Sequence, residues 1–368
     1  MIRYVTVPPT GNATNYKNGQ TLEFQLKLAK GQAIQAKSIY VTGTLKLLVG
    51  GNPIDRTNAN QKLIEYDSQA GIHGFFLNAS SYIDGKNIEA ITDYPQLAHN
   101  IFEANSHYIT QANSNASTME LRCGVDSYTN YVLLGVKDDA GLNTGENSFS
   151  FKPLVALNST NRDITGYDCE TVKLVFVMNS IANVPWNPAA LPDITWEISD
   201  VLLHTLYIED LTMERPKDKL SYIKRVVYNN TLSTSRGSFN YTLNESIIAN
   251  SMTFNRKDDA LKPWTTDILP NVTQVSVNIG GSEYVLRYPL TNNGEIVYNY
   301  IKSLNYSVLE SNAIYGSLTG SGWGIGLSYG QPIATVGLPL SVYINSDVGL
   351  QSESYDMFII FTCVAALT

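Results

Sequence analysis

The stretch Gln274-Val275-Ser276-Val277-Asn278-Ile279-Gly280-Gly281 decides the fold, together with its return from Tyr284 to Tyr288. Polar and apolar residues alternate with period two, so Val275, Val277 and Ile279 share one sheet face. Gly280-Gly281 supplies the positive φ angles that a two-residue hairpin turn of the primed type requires. Pro289 has no N–H to give to a ladder, and it ends the second strand. Beyond Asn292-Asn293-Gly294 the period changes: Ile296/Tyr300/Leu304 and Val297/Ile301 recur at helical spacing, with Glu295 in the first turn and Lys302 in the last. The unit is a β-hairpin, a Tyr-Pro step and a short helix.

The same unit occurs earlier in the chain. Phe75 to Ile83 leads into Asp84-Gly85, Ile88 to Ile91 returns, and Tyr94-Pro95 precedes a helical pattern of Leu97/Ile101 and Ala98/Phe102. The turn glycines Gly85 and Gly281 are 196 positions apart. A second echo matches Leu174 to Asn179 and the strand Ile194 to Ile198 with Leu340 to Asn345 and Met357 to Val364. Its offset, from Asn179 to Asn345, is 166. Repeats at such a distance mark a duplicated domain, because solenoid repeats recur every ~20 to 50 residues.

Length and composition agree with duplication. A chain of 368 residues suits two domains, each large enough to bury a core. The 23 Tyr and 11 Phe belong to a β protein, 26 Gly and 14 Pro punctuate its strands, and charged residues are only 16%. Cys123, Cys169 and Cys363 are too scattered for a disulfide framework or a close-spaced zinc site, which implies assembly in a reducing compartment. Met1 to Asn12 has no apolar run, so no signal peptide is expected, and Met357 to Leu367 falls short of the ~20 residues of a membrane helix. The net charge of −8 and the small, acid-diluted clusters Arg215/Lys217/Lys219 and Lys224-Arg225 predict no direct nucleic-acid binding.

The first clear strand is Thr21 to Lys30, where Leu22, Phe24, Leu26 and Leu28 alternate with polar residues; Lys37 to Val49 follows. Asn105 to Asn147 is rich in Ser, Asn, Thr and Gly and reads as long, exposed loops. Phe149 to Leu157, Val172 to Met178 and Ile194 to Ile208 complete a first half. Glu209 to Leu220, the most charged stretch and the site of Pro216, reads as a solvated connector. Short strands, about eight in each half, predict an all-β chain of two tandem eight-stranded jelly-roll sandwiches with short helices. The expected domains are residues 1–210, an N-terminal jelly roll with long loops, and 211–368, a C-terminal one.

No constellation for catalysis stands out. His73, His99, His107 and His204 form no H-x-H or H-x-x-x-H pair, so no metal site is expected. Gly320 to Gly330 has glycines in the manner of a phosphate loop but lacks its Lys-Ser/Thr and its helix, and no cofactor motif is present. Gly326-Leu-Ser-Tyr-Gly330 has the letters of a G-x-S-x-G elbow, but the α/β alternation that would hold one is missing, and N-x-S/T sequons such as Asn158, Asn240 and Asn271 are expected by chance in so Asn-rich a chain. Trp264, Tyr284, Tyr288, Tyr298 and Tyr300 are read as core and interface packing in preference to a sugar-stacking platform. The chain is read as a non-enzyme.

The pattern resembles the double jelly-roll major capsid proteins of tailless icosahedral viruses, the group of tectiviruses, adenoviruses, virophages and polinton-like viruses. The resemblance is carried by the hairpin-Tyr-Pro-helix unit in each half, by Lys262-Pro263 before the second hairpin, and by Gly322-Trp-Gly-Ile-Gly-Leu327, Val336-Gly-Leu-Pro-Leu-Ser-Val342 and Phe358 to Val364. It implies a structural protein of the virion, assembled inside the host cell as a homotrimer of pseudo-hexagonal outline. The partners it implies are neighbouring capsomers, other capsid proteins and, where one is present, an underlying membrane. The alternatives are a secreted or surface β-sandwich adhesin that binds glycans and, within the class, a minor capsid or spike component. Tyr108, Tyr128 and Tyr131, in the long loops, are the candidate subunit-interface residues, since interface centres favour aromatic rings.

Overall fold

The computed structural model describes residues 1–11, 13–53, 70–105, 120, 146–180, 194–233, 236–256, 272–287, 299–300, 302–304, 324–346 and 354–367. The chain forms two compact units. One comprises Met1–Phe102, Ser106–Tyr222 and Ala366–Thr368, and the other Ile223–Ala365 with Glu103–Asn105.

The first unit contains β1 (Ile2–Val7), β2 (Asn15–Tyr16), β3 (Thr21–Lys27), β4 (Gln32–Ile34), β5 (Tyr40–Val49), β6 (Asn52–Pro53), β7 (Phe76–Ile83) and β8 (Lys86–Ile91). Helix α1 (Tyr94–Asn105) follows, then β9 (Glu146–Phe151), β10 (Ile164–Thr165), β11 (Thr171–Met178) and β12 (Ile194–Glu209). The later strands are β13 (Ser221–Leu232), β14 (Arg236–Tyr241), β15 (Ser246–Arg256), β16 (Val272–Ile279), β17 (Ser282–Arg287), β18 (Ile325–Ala334), β19 (Leu340–Ser346) and β20 (Tyr355–Ala366).

Both units have one strand plan. In the second, one sheet runs β13-β20-β15-β18 and the other β14-β19-β16-β17. In the first, β12 lies between β1 and β5, β5 also pairs with β9, and the facing sheet runs β3-β11-β7-β8. Substituting β1, β12, β5 and β9 for β13, β20, β15 and β18 gives the same order, so each unit is an eight-stranded jelly roll. The first unit adds the short strands β2, β4, β6 and β10. The chain is all-β, with two packed sheets in each unit.

The hairpin that opens the argument forms as expected. Asp84 and Gly85 take φ of 46° and 76°, Gly280 and Gly281 take 59° and 91°, and both pairs make two-residue turns with positive φ. Each turn is tied to the strand that follows it in the sheet by the same backbone bond. Asp84 N–H donates to the Thr171 carbonyl at 3.0 Å and Gly280 N–H to the Pro339 carbonyl at 3.0 Å. The Asp84 carboxylate also accepts from the N–H groups of Glu170 and Thr171, at 2.9 and 2.8 Å.

Alternation places Leu22, Phe24 and Leu26 inside, as it does Val41, Leu45 and Leu47. Each such side chain contributes about 1.5–3 kcal/mol. Gly43 interrupts the inward row of β5 because the Phe149 ring, opposite it on β9, occupies the space; a Cβ on Gly43 would lie 2.6 Å from that ring. In the second unit Val275, Val277 and Ile279 meet Ile247, Met252, Phe254, Ile359 and Phe361 in the core.

Two expectations need correction. The chain enters its first sheet at β1, well before Thr21, because Ile2–Val7 pairs with Leu203–Ile208. The segment after β12 is exposed along most of its length, yet it is fastened. The Arg162 guanidinium forks the Asp168 carboxylate with two contacts of 2.7 Å and donates to the Asp218 carbonyl at 2.9 Å. Tyr167 Oη donates to the Met213 carbonyl at 3.1 Å, and Leu220 is buried. Burial pushes the Asp168 carboxyl up, but hydrogen bonds from Arg162 and Thr165 outweigh it and hold the group below the usual carboxylate range.

Helix α1 begins at Tyr94-Pro95, with Pro at a position where its missing N–H costs nothing. Tyr94 is fully buried: its hydroxyl meets His73 Nδ1 at 2.8 Å and accepts from Leu154 N–H at 3.1 Å. Tyr288-Pro289 lies outside the described residues. Asn299–Tyr300 and Lys302–Leu304 are helical, and Tyr300, Ser303 and Leu304 are buried. This helix rests on the glycines of β18 and its approach, since a Cβ on Gly324 would meet the Tyr300 ring and one on Gly326 the Ser303 hydroxyl. The glycine run therefore serves a close approach of helix to sheet.

Candidate assembly surface

The described histidines serve packing. His73 lies among Tyr94, Phe102 and Phe151, with ring centroids 4.8–5.6 Å away. His99 is buried on α1, and His107 lies outside the described residues. His204, on the outer face of β12, stacks on Tyr40 at 4.7 Å; Nδ1 contacts Thr6 Oγ1 at 3.1 Å and Nε2 contacts Thr42 Oγ1 at 2.8 Å. Burial lowers its pKa. Among the described residues no group of three or more His, Cys, Asp or Glu is placed to hold a metal ion. Cys169 and Cys363 are buried free thiols, and Cys123 lies outside the described residues.

Of the two basic clusters, Lys224-Arg225 is drawn into the fold, while Arg215, Lys217 and Lys219 are exposed. Lys224 contacts Glu245, and Arg225 is buried. Of the aromatic run, Tyr300 is buried and Tyr284 packs edge-on to Tyr329 at 5.0 Å; Trp264, Tyr288 and Tyr298 lie outside the described residues.

Tyr108, Tyr128 and Tyr131 also lie outside the described residues. The surface features that the structure does describe are elsewhere. The two outer faces of the first unit differ in chemistry. On the β3-β11-β7-β8 sheet, Lys173 pairs with Glu23 at 3.0 Å and stands 5.0 Å from the Tyr82 ring centroid, beside Gln25 and Ser80. The same face also carries the half-buried Val175 and Val177 beside these polar groups. On the opposite sheet the register sets Ile2 against Ile208, Tyr4 against Leu206, and Thr6 and Tyr40 on either side of His204. None of these outward side chains is fully buried.

This apolar face owes its position to a bulge. Along β12, Trp196 and Ile198 point inward at even positions, while Val201, Leu203 and Tyr207 do so at odd ones. Between Ser199 and Leu202 the ladder to β5 takes up one extra residue, and Asp200 adopts φ of 53°. An extra residue in one strand reverses which side chains face the core from that point on.

Among the described residues the exposed large hydrophobics fall into two groups. Met1, Ile2, Tyr4 and Leu211, at 66–99% exposure, gather at β1 and the end of β12, where Glu209 N–H donates to the Met1 carbonyl at 2.7 Å. Val336, Leu338 and Tyr343, at 42–65%, lie on β19 and the turn before it. Tyr343 stands opposite Ser238 on one side and the buried Ser276 on the other. The sequence held a signal for the first group in Ile2-Arg-Tyr-Val-Thr-Val7, a β-branched and aromatic run ended by Pro8-Pro9.

With the strand plan in hand, comparison with solved structures is direct. The chain is similar to the Faustovirus major capsid protein, with a TM-score of 0.61 and 8% identity over 100% of this chain and 90% of that one. It is also similar to a chain of the Sputnik virophage solved by cryo-EM, at 0.57 and 11%, covering 100% and 86%. The mavirus major capsid protein matches at 0.53 and 12%, covering 98% and 86%. The fold is the double jelly roll. At these identities the likeness is one of architecture, and it spans both sandwiches in order. No protein-family model matches the sequence, and no curated protein matches it.

Proposed function

We propose that this chain is the major capsid protein of an icosahedral virus, a structural and non-enzymatic subunit whose work is to associate with copies of itself. The observation that carries the reading is the pair of like-ordered jelly rolls in one chain, aligned over 98–100% of its length with two major capsid proteins. Residues 1–210 and 211–368 are taken as the two sandwiches. Three such chains present six similar sandwiches, an outline that fills a sixfold site, and cyclic closure makes the assembly finite. Neighbouring capsomers, other capsid proteins and an underlying membrane are the partners this role brings, and Tyr108, Tyr128 and Tyr131 belong to its interfaces.

Light scattering coupled to gel filtration tests the reading. The expected mass is three times the 40.6 kDa of the chain, and negative-stain images should show hexagonal plates. A concentration-independent mass of one chain would defeat the trimer.

A further inference from the structure

We infer that the outer face of the β14-β19-β16-β17 sheet carries a binding site for a neutral saccharide, with Tyr343 as the ring on which one sugar stacks. The inference goes beyond the assembly role and does not depend on it. Three observations carry it.

The first is an exposed aromatic ring set among small polar groups. Tyr241, Leu340, Val342, Ile344, Val275 and Val277 face the core, so the residues between them on β14, β19 and β16 face outward. The register sets two outward rows side by side: Asn240, Ser341 and Asn278 in one, and Ser238, Tyr343 and Ser276 in the next. Tyr343 is 44% exposed, although Ser276 beside it is buried. A tyrosine ring is a large, rigid contact surface that costs little entropy to hold still.

The second is charge. All six side chains in these rows are uncharged. Charged groups begin beyond them, with Arg236 opposite Asn345 and Glu283 opposite Asn278. A polyanion or a charged peptide finds no matching row of counter-charges here, whereas an uncharged polyol needs none.

The third is the orientation of the two amides. Asn278 Oδ1 accepts from Gly281 N–H at 3.0 Å, and Asn240 Oδ1 accepts from Ser341 Oγ at 2.6 Å. Each amide oxygen is thereby engaged within the protein, and the N–H2 end of each is the end left to donate outward. The two strands that carry them stand two strand spacings apart, roughly 10 Å, and Tyr343 lies one outward position further along, about 7 Å. A pyranose has both kinds of surface that this arrangement matches. Its C–H bonds, which carry partial positive charge, lie against the negative face of an aromatic ring, and its hydroxyl oxygens accept from amide donors.

Saturation-transfer NMR on the full chain tests the site, with cellotetraose, lactose, chitotriose and methyl α-mannoside as neutral probes and sialyllactose as an anionic one. At least one neutral probe should receive saturation at its ring C–H protons. Tyr343→Ala should weaken that binding about tenfold or more, and Tyr343→Phe, which keeps the ring, should retain it. Asn240→Ala leaves the Asn278–Gly281 bond intact and should weaken it several-fold. Circular dichroism and melting temperature check that each variant is folded. If none of the neutral probes receives saturation, or if Tyr343→Ala leaves the signal unchanged, the site is overturned. Binding of sialyllactose alone overturns the neutral class. Should Tyr343→Ala fail to fold, Asn240→Ala decides, and an unchanged signal there overturns the site.

Discussion

Ser303 sits so close over Gly326 that a β-carbon on the glycine would stand 2.0 Å from the serine hydroxyl and 2.8 Å from the Tyr300 Cα. The hydroxyl can turn away, but the Tyr300 backbone belongs to the helix and cannot. Gly326→Ala is therefore expected to destabilise the second unit by about 1–3 kcal/mol through overpacking. Gly11→Ala, with nothing within 4 Å, is the control and should be near neutral. Thermal unfolding measures both. An unshifted melting temperature for Gly326→Ala would mean that the helix is not seated on β18.

Arg162 joins Asp168 to the Asp218 carbonyl, and its side chain and that of Asp168 are only 20% and 12% exposed. Arg162→Met keeps much of the stem and removes the fork. A cost of about 2–3 kcal/mol is expected, because the largely buried carboxylate loses charged hydrogen bonds. The Asp168 pKa is depressed in the fold, so its contribution is present above the unfolded value of about 3.9 and is lost as pH falls through the lower folded value. Urea unfolding at pH 7 and pH 3 should show the variant's deficit shrinking in acid. An equal deficit at both would contradict the ion-pair account.

His204 also loses stability in acid, through its neutral form instead of its charged one. Burial lowers its folded pKa, so the unfolded ring takes up a proton first as pH falls through about 6.5. Stability from this group is complete above that value and declines below it, down to the folded pKa. His204→Gln can still bridge Thr6 and Thr42 but does not titrate. Its stability should vary less than the parent's between pH 7 and pH 5 in chemical denaturation, and matching slopes would remove His204 as a source of acid sensitivity.

The acidic chain, with Arg225 buried and Lys224 held by Glu245, should bind double-stranded DNA negligibly at physiological salt. Fluorescence anisotropy with a labelled duplex is the check. Micromolar binding that weakens steeply with added salt would refute the expectation.

Much of the architecture was legible in the sequence because jelly rolls write themselves in local signals. Asp84-Gly85 and Gly280-Gly281 demand a specific turn, and Tyr94-Pro95 marks a helix start. What was not legible depended on partners distant in sequence. Ile2-Arg-Tyr-Val-Thr-Val7 has strand composition, but its place in a sheet is set by β12, some two hundred residues away. The fastening of Glu209 to Leu220 rests on Arg162 and Tyr167, and nothing in that charged segment announces them. The glycines near Trp323 resembled a ligand loop because an empty Cβ position looks the same in sequence whether a phosphate or a helix fills it. The outward apolar strip of β12 was the hardest to see, since alternation through Ile194 to Ile208 changes phase at Asp200 without any change in composition.

The extra residue at Asp200 works like a change of reading frame written in geometry. Upstream of it an even number in β12 means core, and downstream an even number means surface. A single deletion there would remove the bulge and leave Leu203 and Tyr207 facing the core in an unbroken alternation, whereas a deletion between the bulge and Leu203 that kept the bulge would turn Leu203 and Tyr207 toward water and His204 and Leu206 into the core. Two sequences at 8–12% identity cannot be matched letter by letter, but they can be matched by phase. A distant relative that lacks the bulge must carry the opposite parity from that point to the end of the strand.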